Sequence, residues 1–313
     1  MLLLALCLLP GCAARAPELA AGPSVELTSV PFHPQQRWQC GPAALATVLG
    51  ASGLPVTAES LVQEVWVPGR RGTLAAELLG ATRRHGRIPW RISPSLTALR
   101  QELEAGRPVL VFQNLGIGAL PRWHYAVVVG LDADRGEVLL RSGTERLRRT
   151  PLRLFDRTWA RSGRWAMVVL RGEERPANVE RGGWFRTLAA VEEAGAVATA
   201  HAAWDSWLGD HPSDASARFG RAATAARLGD LATAAEDYAW LLAERGEDVR
   251  VLNNLALVRA RQGCHARAGD LLARAFAVAD TGALSVLQRS RTDLATRAAR
   301  DDPPARTCPL RRP

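Results

Sequence analysis

Apolar positions change their spacing along the chain, and each change marks a different kind of segment. Met1 to Leu9 is a continuous apolar run, too short to remain across a bilayer. From Val25 to about Gly172, stretches of helical period are followed by short continuous apolar runs. Val25 to Phe32 reads as an extended lead-in. Cys40 to Gly50 predicts a helix with Leu45, Val48 and Leu49 on one side, ended by Gly50 or Gly53. Thr57 to Val67 predicts a second helix. Thr73 reads as the N-cap of a third running to Gly86, and Ser95 to Ala105 as a fourth closed by Gly106. Pro108 to Phe112, His124 to Gly130, Glu137 to Arg141 and Arg164 to Leu170 then read as strands. Helices first and strands later, at hairpin spacing, predict an α+β domain over 25–172 with an antiparallel sheet.

A polar linker at 173–180 leads into Ala-rich sequence of purely helical period. Here positions recur every 34 residues: Gly195, Gly229 and Gly263; Ala200, Ala234 and Ala268; Trp204, Tyr238 and Leu272. The glycine allows an inter-helix turn, and the alanine lets two helices approach closely. The series over 181–284 resembles the tetratricopeptide repeat; a generic array of helical hairpins is the plainer alternative. By that resemblance the array is all-α and recruits a protein partner. Residues 285–313 predict a capping helix and a disordered Pro- and Arg-containing tail.

A length of 313 residues leaves room for two domains. The formal charge of +9 first suggests an acidic partner, but all 40 basic residues are Arg and they are spread over every segment. Nucleic-acid binding needs a localised basic patch, so no nucleic-acid partner is expected. Leu9-Pro10-Gly11-Cys12 resembles a bacterial lipoprotein signal, which implies a signal peptide at 1–12. Cys12 would then be lipidated, the flexible tether 13–24 would follow, and the protein would be exported and held at the periplasmic or outer membrane by its anchor. An ordinary secretory signal cleaved near Ala13 or Ala14 is the alternative. In an oxidising compartment Cys264 and Cys308 could pair, leaving Cys40 as the free thiol; two unrelated thiols in an Ala-rich helical region are the equal alternative.

The chemistry centres on Cys40, where a loop turns into a helix, and His124, at the start of an apolar strand. A helix N-terminus favours a thiolate, and a facing imidazole can take and return a proton. Pro42 suits the first turn, where its missing N–H costs nothing. Gln35-Gln36-Arg37-Trp38-Gln39-Cys40-Gly41-Pro42-Ala43-Ala44 and His124-Tyr125-Ala126-Val127-Val128 resemble the bacteriocin-processing, double-glycine-leader type of papain-like cysteine peptidase, over roughly Val25 to Leu170. The resemblance implies Cys40 as nucleophile, forming a thioester with a peptide or protein substrate, and His124 as general base and then acid. It also implies a glutamine beside the backbone N–H of Cys40 in an oxyanion hole. That glutamine usually lies six residues before the cysteine, where this chain has Pro34; Gln35 is the nearest substitute, and Gln36 follows it. The acidic residue that should orient His124 is missing, and Ser142 stands at its expected place in Leu140-Arg141-Ser142-Gly143. Asp132 and Asp134 fall in a turn signal, and Asp156 is a further candidate.

A peptide-binding scaffold with a degenerate site is the main rival, and amidase or transglutaminase-like chemistry would use the same residues. The double-glycine specificity is not carried over, because those peptidases work within transporters. His33 lies too close to Cys40 in sequence to be expected in the site, and His85, His201, His211 and His265 read as structural. No spacing predicts a metal site or a cofactor. Asn114 to Gly118 reads as a loop bordering the cleft, and Trp123 as a shield for the imidazole.

Overall fold

Sequence order delivers helices before strands. The computed structural model describes residues 22–35, 39–70 and 72–300. Cys12, the signal segment, most of the tether, Gln36 and Cys308 lie outside them. The elements are β1 (Val25–Glu26), α1 (Cys40–Ala51), α2 (Ala58–Val65), β2 (Trp66–Val67), β3 (Gly72–Thr73), α3 (Ala75–Arg84), β4 (Ile88–Arg91) and α4 (Leu96–Glu104). Then come β5 (Val109–Asn114), β6 (Trp123–Asp132), β7 (Glu137–Ser142), β8 (Glu145–Pro151), α5 (Leu152–Ala160) and β9 (Ala166–Leu170). Helices α6 (Arg181–Glu193), α7 (Val197–Asp210), α8 (Ala215–Leu228), α9 (Leu231–Arg245), α10 (Val249–Arg261), α11 (His265–Ala277) and α12 (Leu284–Arg300) complete the described chain.

These residues form two compact units. One holds the described residues up to Leu74 with Arg91–Val168, the other Ala75–Trp90 with those from Val169 onward. In the first, strands lie in the order β9-β5-β6-β7-β8, each pair antiparallel, and β1 pairs with β6. The apolar runs form this sheet because almost every residue of β5, β6, β7 and β9 is buried. Helix α1 packs against β6, β5 and β7. It is buried from Gly41 through Leu49, not on one side alone, because Gly, Ala and Thr fill the positions where a surface helix carries charge.

Several boundaries differ from expectation, each for a local reason. Helix α1 continues past Gly50 to Ala51, and the left-handed turn comes at Gly53 with φ 87°. Thr57 caps α2, accepting from Ser60 N–H, but that helix stops at Val65 because Trp66 and Val67 pair with Thr73 and Gly72 in a two-stranded ribbon. Thr73 is therefore a strand residue and not a helix cap. Ser95 caps α4 as its position implies. Strand β8 has no apolar alternation to announce it, since Glu145 to Arg149 face solvent at the sheet edge. Helix α5 does carry a stripe, Leu152, Phe155 and Trp159, within an Arg-rich segment.

The second unit contains α3, β4 and an all-helical region of seven helices among the described residues. Gly195, Gly229 and Gly263 take φ of 88°, 91° and 78° between α6 and α7, α8 and α9, and α10 and α11. Ala200, Ala234 and Ala268 are fully buried there, with Trp204, Tyr238 and Leu272 close behind. Asp237, 1% exposed, accepts from Arg218 Nη1 at 2.8 Å and from Arg221 Nε at 2.8 Å. Cys264 is disulfide-bonded; Cys308 is among the residues not described.

Candidate active site

Two elements far apart in sequence bring the candidate residues together. Gln39 is the N-cap of α1 and Cys40 its first helical residue, so the first-turn N–H groups lie free of intrahelical bonds. The backbone N–H of Tyr125, of Gly41 and of Cys40 itself donate to the Cys40 thiol. The Tyr125 bond matters most for placement, because it ties the sulfur to the residue that follows His124 on β6. Gly41 is required for this approach: a Cβ there would fall inside the side chain of Thr73, 2.9 Å from its Cγ2 and closer still to the other atoms.

His124 is held from the other side. Its Nε2 lies 2.8 Å from Ser142 Oγ, and the hydroxyl can donate or accept according to the ring tautomer. The β6–β7 register pairs Val127 with Arg141 and Val128 with Leu140, so Ser142 sits across from Ala126, on the same face as His124. Ser142 is 7% exposed, which keeps water from competing for that bond. The bond leaves the ring's other nitrogen, Nδ1, for a second partner.

Phe32, His33, Gln35, Cys40, Tyr125 and Ser142 line one cleft. Gln35 is fixed there by its backbone N–H, which donates to the carbonyl of Gly143 at 3.0 Å in the β7–β8 turn. His33, not expected in the site from its short separation, also lines the cleft. Trp123 is 53% exposed and stacks on Phe112 at 5.1 Å between centroids, so it forms part of an aromatic lip.

The electrostatics differ from those expected of a helix-activated thiol. Burial pushes the Cys40 thiol up from its ordinary value of 9.0, and the three N–H donors offset only part of this. His124 is lowered to about 4, first by burial and then by the positive charges of Arg148 and Arg122. At neutral pH the resting pair is thus a neutral thiol and a neutral imidazole. Burial likewise raises the Tyr125 phenol, and Cys40, once ionised, raises it further. None of the aspartates considered from sequence supplies a carboxylate to the ring. Asp132 accepts from the backbone N–H and the guanidinium of Arg135 and from Arg149, as a turn residue does. Asp156 is bound by Arg164 Nε and Nη2 at 3.0 and 3.1 Å.

Sequence reasoning missed the two arginines. Arg122 was visible two residues before His124, while Arg148 reaches the site only through the register Leu140↔Arg148 on a strand that was not expected. Among the described residues no group of three or more His, Cys, Asp or Glu could hold a metal ion, and no helix is long and apolar enough to cross a membrane.

Residues 27–167, somewhat under half of the chain, match the model of the Peptidase_C39 like family. The chain is similar to a solved C39-like peptidase from Bacillus anthracis at 19% identity and TM-score 0.41, covering 50% of this chain and 100% of that one. It is similar to the peptidase domain of Streptococcus ComA, a bifunctional ABC transporter of a quorum-sensing pathway, at 19% identity and TM-score 0.36, covering 45% and 98%. A double-glycine-motif protease from an AMS/PCAT transporter, solved with its leader peptide, matches at 21% identity and TM-score 0.33, covering 45% and 89%. No curated protein matches the chain.

Proposed function

We propose that the chain is a cysteine peptidase of the bacterial cell envelope, exported and anchored through lipid on Cys12, with the helical region acting as a tetratricopeptide-like array that recruits a protein partner. The observation that carries the catalytic part is the double tether of the site. The Cys40 sulfur accepts from the N–H of Tyr125, while the neighbouring His124 is held through Nε2 by Ser142. In this reading the sulfur attacks the scissile carbonyl as the imidazole takes the thiol proton, and a thioester forms. The imidazolium returns that proton to the leaving amine. Water, deprotonated by His124, then hydrolyses the thioester and frees the acid and the thiol. Gln35 in the cleft and the Cys40 N–H are the candidate donors for the oxyanion. Because the resting pair is neutral, proton transfer accompanies attack instead of preceding it.

One observation favours a second reading, a peptide-binding scaffold without turnover: the ring has a hydroxyl where the family's pattern has an acid, and two cations in its surroundings. Labelling of the purified protein with a limiting peptidyl electrophile separates the two. Peptidase chemistry predicts selective modification of Cys40 that drops about a hundredfold or more in His124→Ala, the lower end of the range for loss of a general base. Labelling that is indifferent to His124 leaves the scaffold.

A further inference from the structure

The hairpin leading into β6 is a firm platform with an unused charge on it. Asn114 Oδ1 accepts from the N–H of Gly116 at 3.0 Å and of Arg122 at 2.9 Å, and the Arg122 carbonyl accepts from Leu115 N–H at 2.9 Å. The backbone of Arg122 is therefore locked at the entry to β6, two residues before His124. Its exposed guanidinium makes no ion pair among the described residues. Arg148 stands on the same face as His124 and Ser142, since Leu140 pairs with both Val128 and Arg148. Its partner is Glu145 at 3.2 Å, with both side chains about half exposed, a pair that a stronger acceptor can displace. Among the described residues no carboxylate bonds to the imidazole. Two arginines near an imidazole with no acid on it make the ring's surroundings cationic, and a guanidinium matches a carboxylate in a bidentate, charge-assisted pair.

We propose that Arg122 and Arg148 read an acidic side chain of the peptide substrate close to the scissile bond, making the enzyme selective for acidic peptides. This rests on the cysteine peptidase proposed above. The same contact feeds back on the chemistry. The two cations disfavour the imidazolium that must form during attack, and a bound substrate carboxylate cancels their field at the ring. An acidic peptide thus supplies from outside the negative charge that Ser142 does not, and favours turnover as well as binding. Ile117, Leu120 and Trp123, exposed on the same hairpin as Arg122, offer apolar surface that a bound peptide would cover.

The test uses the full mature chain and matched peptidyl vinyl sulfones that carry Asp, Asn or Arg at one position at a time, with the rate of Cys40 modification read by mass spectrometry. The expected result is at least one position where the Asp probe reacts about tenfold or more faster than the Asn probe, as a charge-assisted bond to one guanidinium implies. That preference shrinks in Arg122→Gln and at high salt, and passes to the Arg probe in Arg122→Glu. Equal rates for the three probes at every position, or a preference for Asp that survives Arg122→Gln combined with Arg148→Gln, overturns the selectivity while leaving a His124-dependent Cys40 intact. Loss of His124 dependence for every probe overturns the peptidase itself, and the selectivity with it.

Discussion

Ser142→Asp puts a charged acceptor where the protein has a hydroxyl 2.8 Å from Nε2 of His124. The site is 7% exposed, so the new carboxylate is poorly solvated and depends on the ring for a partner. A hydrogen bond to a charged group contributes about 1.5–3 kcal/mol against roughly 1 for a neutral one, so the imidazolium gains about 1–2 kcal/mol. At 1.36 kcal/mol per pH unit, His124 moves from about 4 to roughly 5. At pH 6 the protonated ring then rises from about one molecule in a hundred to roughly one in ten. An imidazolium beside the sulfur stabilises the thiolate, so alkylation of Cys40 at pH 6 accelerates several-fold. The assay is a ring-carbon NMR titration of His124 paired with iodoacetamide kinetics. Ser142→Asn, similar in shape but uncharged, is the control and moves His124 much less. A His124 midpoint that stays at its original value or falls in Ser142→Asp, with the thermal melt unchanged, would refute the claim that this bond sets the ring's basicity.

Other outcomes follow from groups already described. His124 has a folded value of about 4 against an ordinary 6.5, so between these the unfolded chain binds the proton first. Stability is complete above pH 6.5 and falls as pH drops towards 4, by roughly 3 kcal/mol from this group; urea unfolding of His124→Ala at pH 7 and 4 should lack that part of the slope. Gly41→Ala drives a methyl group into Thr73 and should cost about 1–3 kcal/mol, with Thr73→Gly giving relief in the double variant. Asp237→Ala leaves Arg218 without an ion-pair partner and Arg221 with Asp205 alone, and should lower unfolding free energy by about 3 kcal/mol, with a clear drop in melting temperature; Asp237→Asn should cost less.

The fold was legible wherever burial imposes a period. The runs at Val109–Phe112, Ala126–Leu131 and Ala166–Leu170 became strands because each is buried along nearly its whole length. Strand β8 was not legible, since an exposed edge strand is defined by the hydrogen bonds of its neighbour and not by its own side chains. The site was half legible. Cys40 and His124 carry their chemistry in residue type and setting, and Ser142 came from the family resemblance, which expects an acidic residue at that place. The thiol's environment was not legible, because helix position argues for a lowered thiol while burial, visible only once β6 covers α1, acts the other way and outweighs it. The cleft position of His33 and the field of Arg148 likewise depend on how loops and strands fold back, which spacing along the chain does not encode.

The bond from Tyr125 N–H to the Cys40 sulfur also sets a clock. The thiol is made early in the chain, but its neighbour strand and the Ser142 that holds the imidazole come about a hundred residues later. Until β6 and β7 have emerged and closed on α1, the cysteine has neither base nor cleft. A partly synthesised chain is thus chemically quiet at this cysteine. The surroundings of the thiol are assembled only when the sheet is complete.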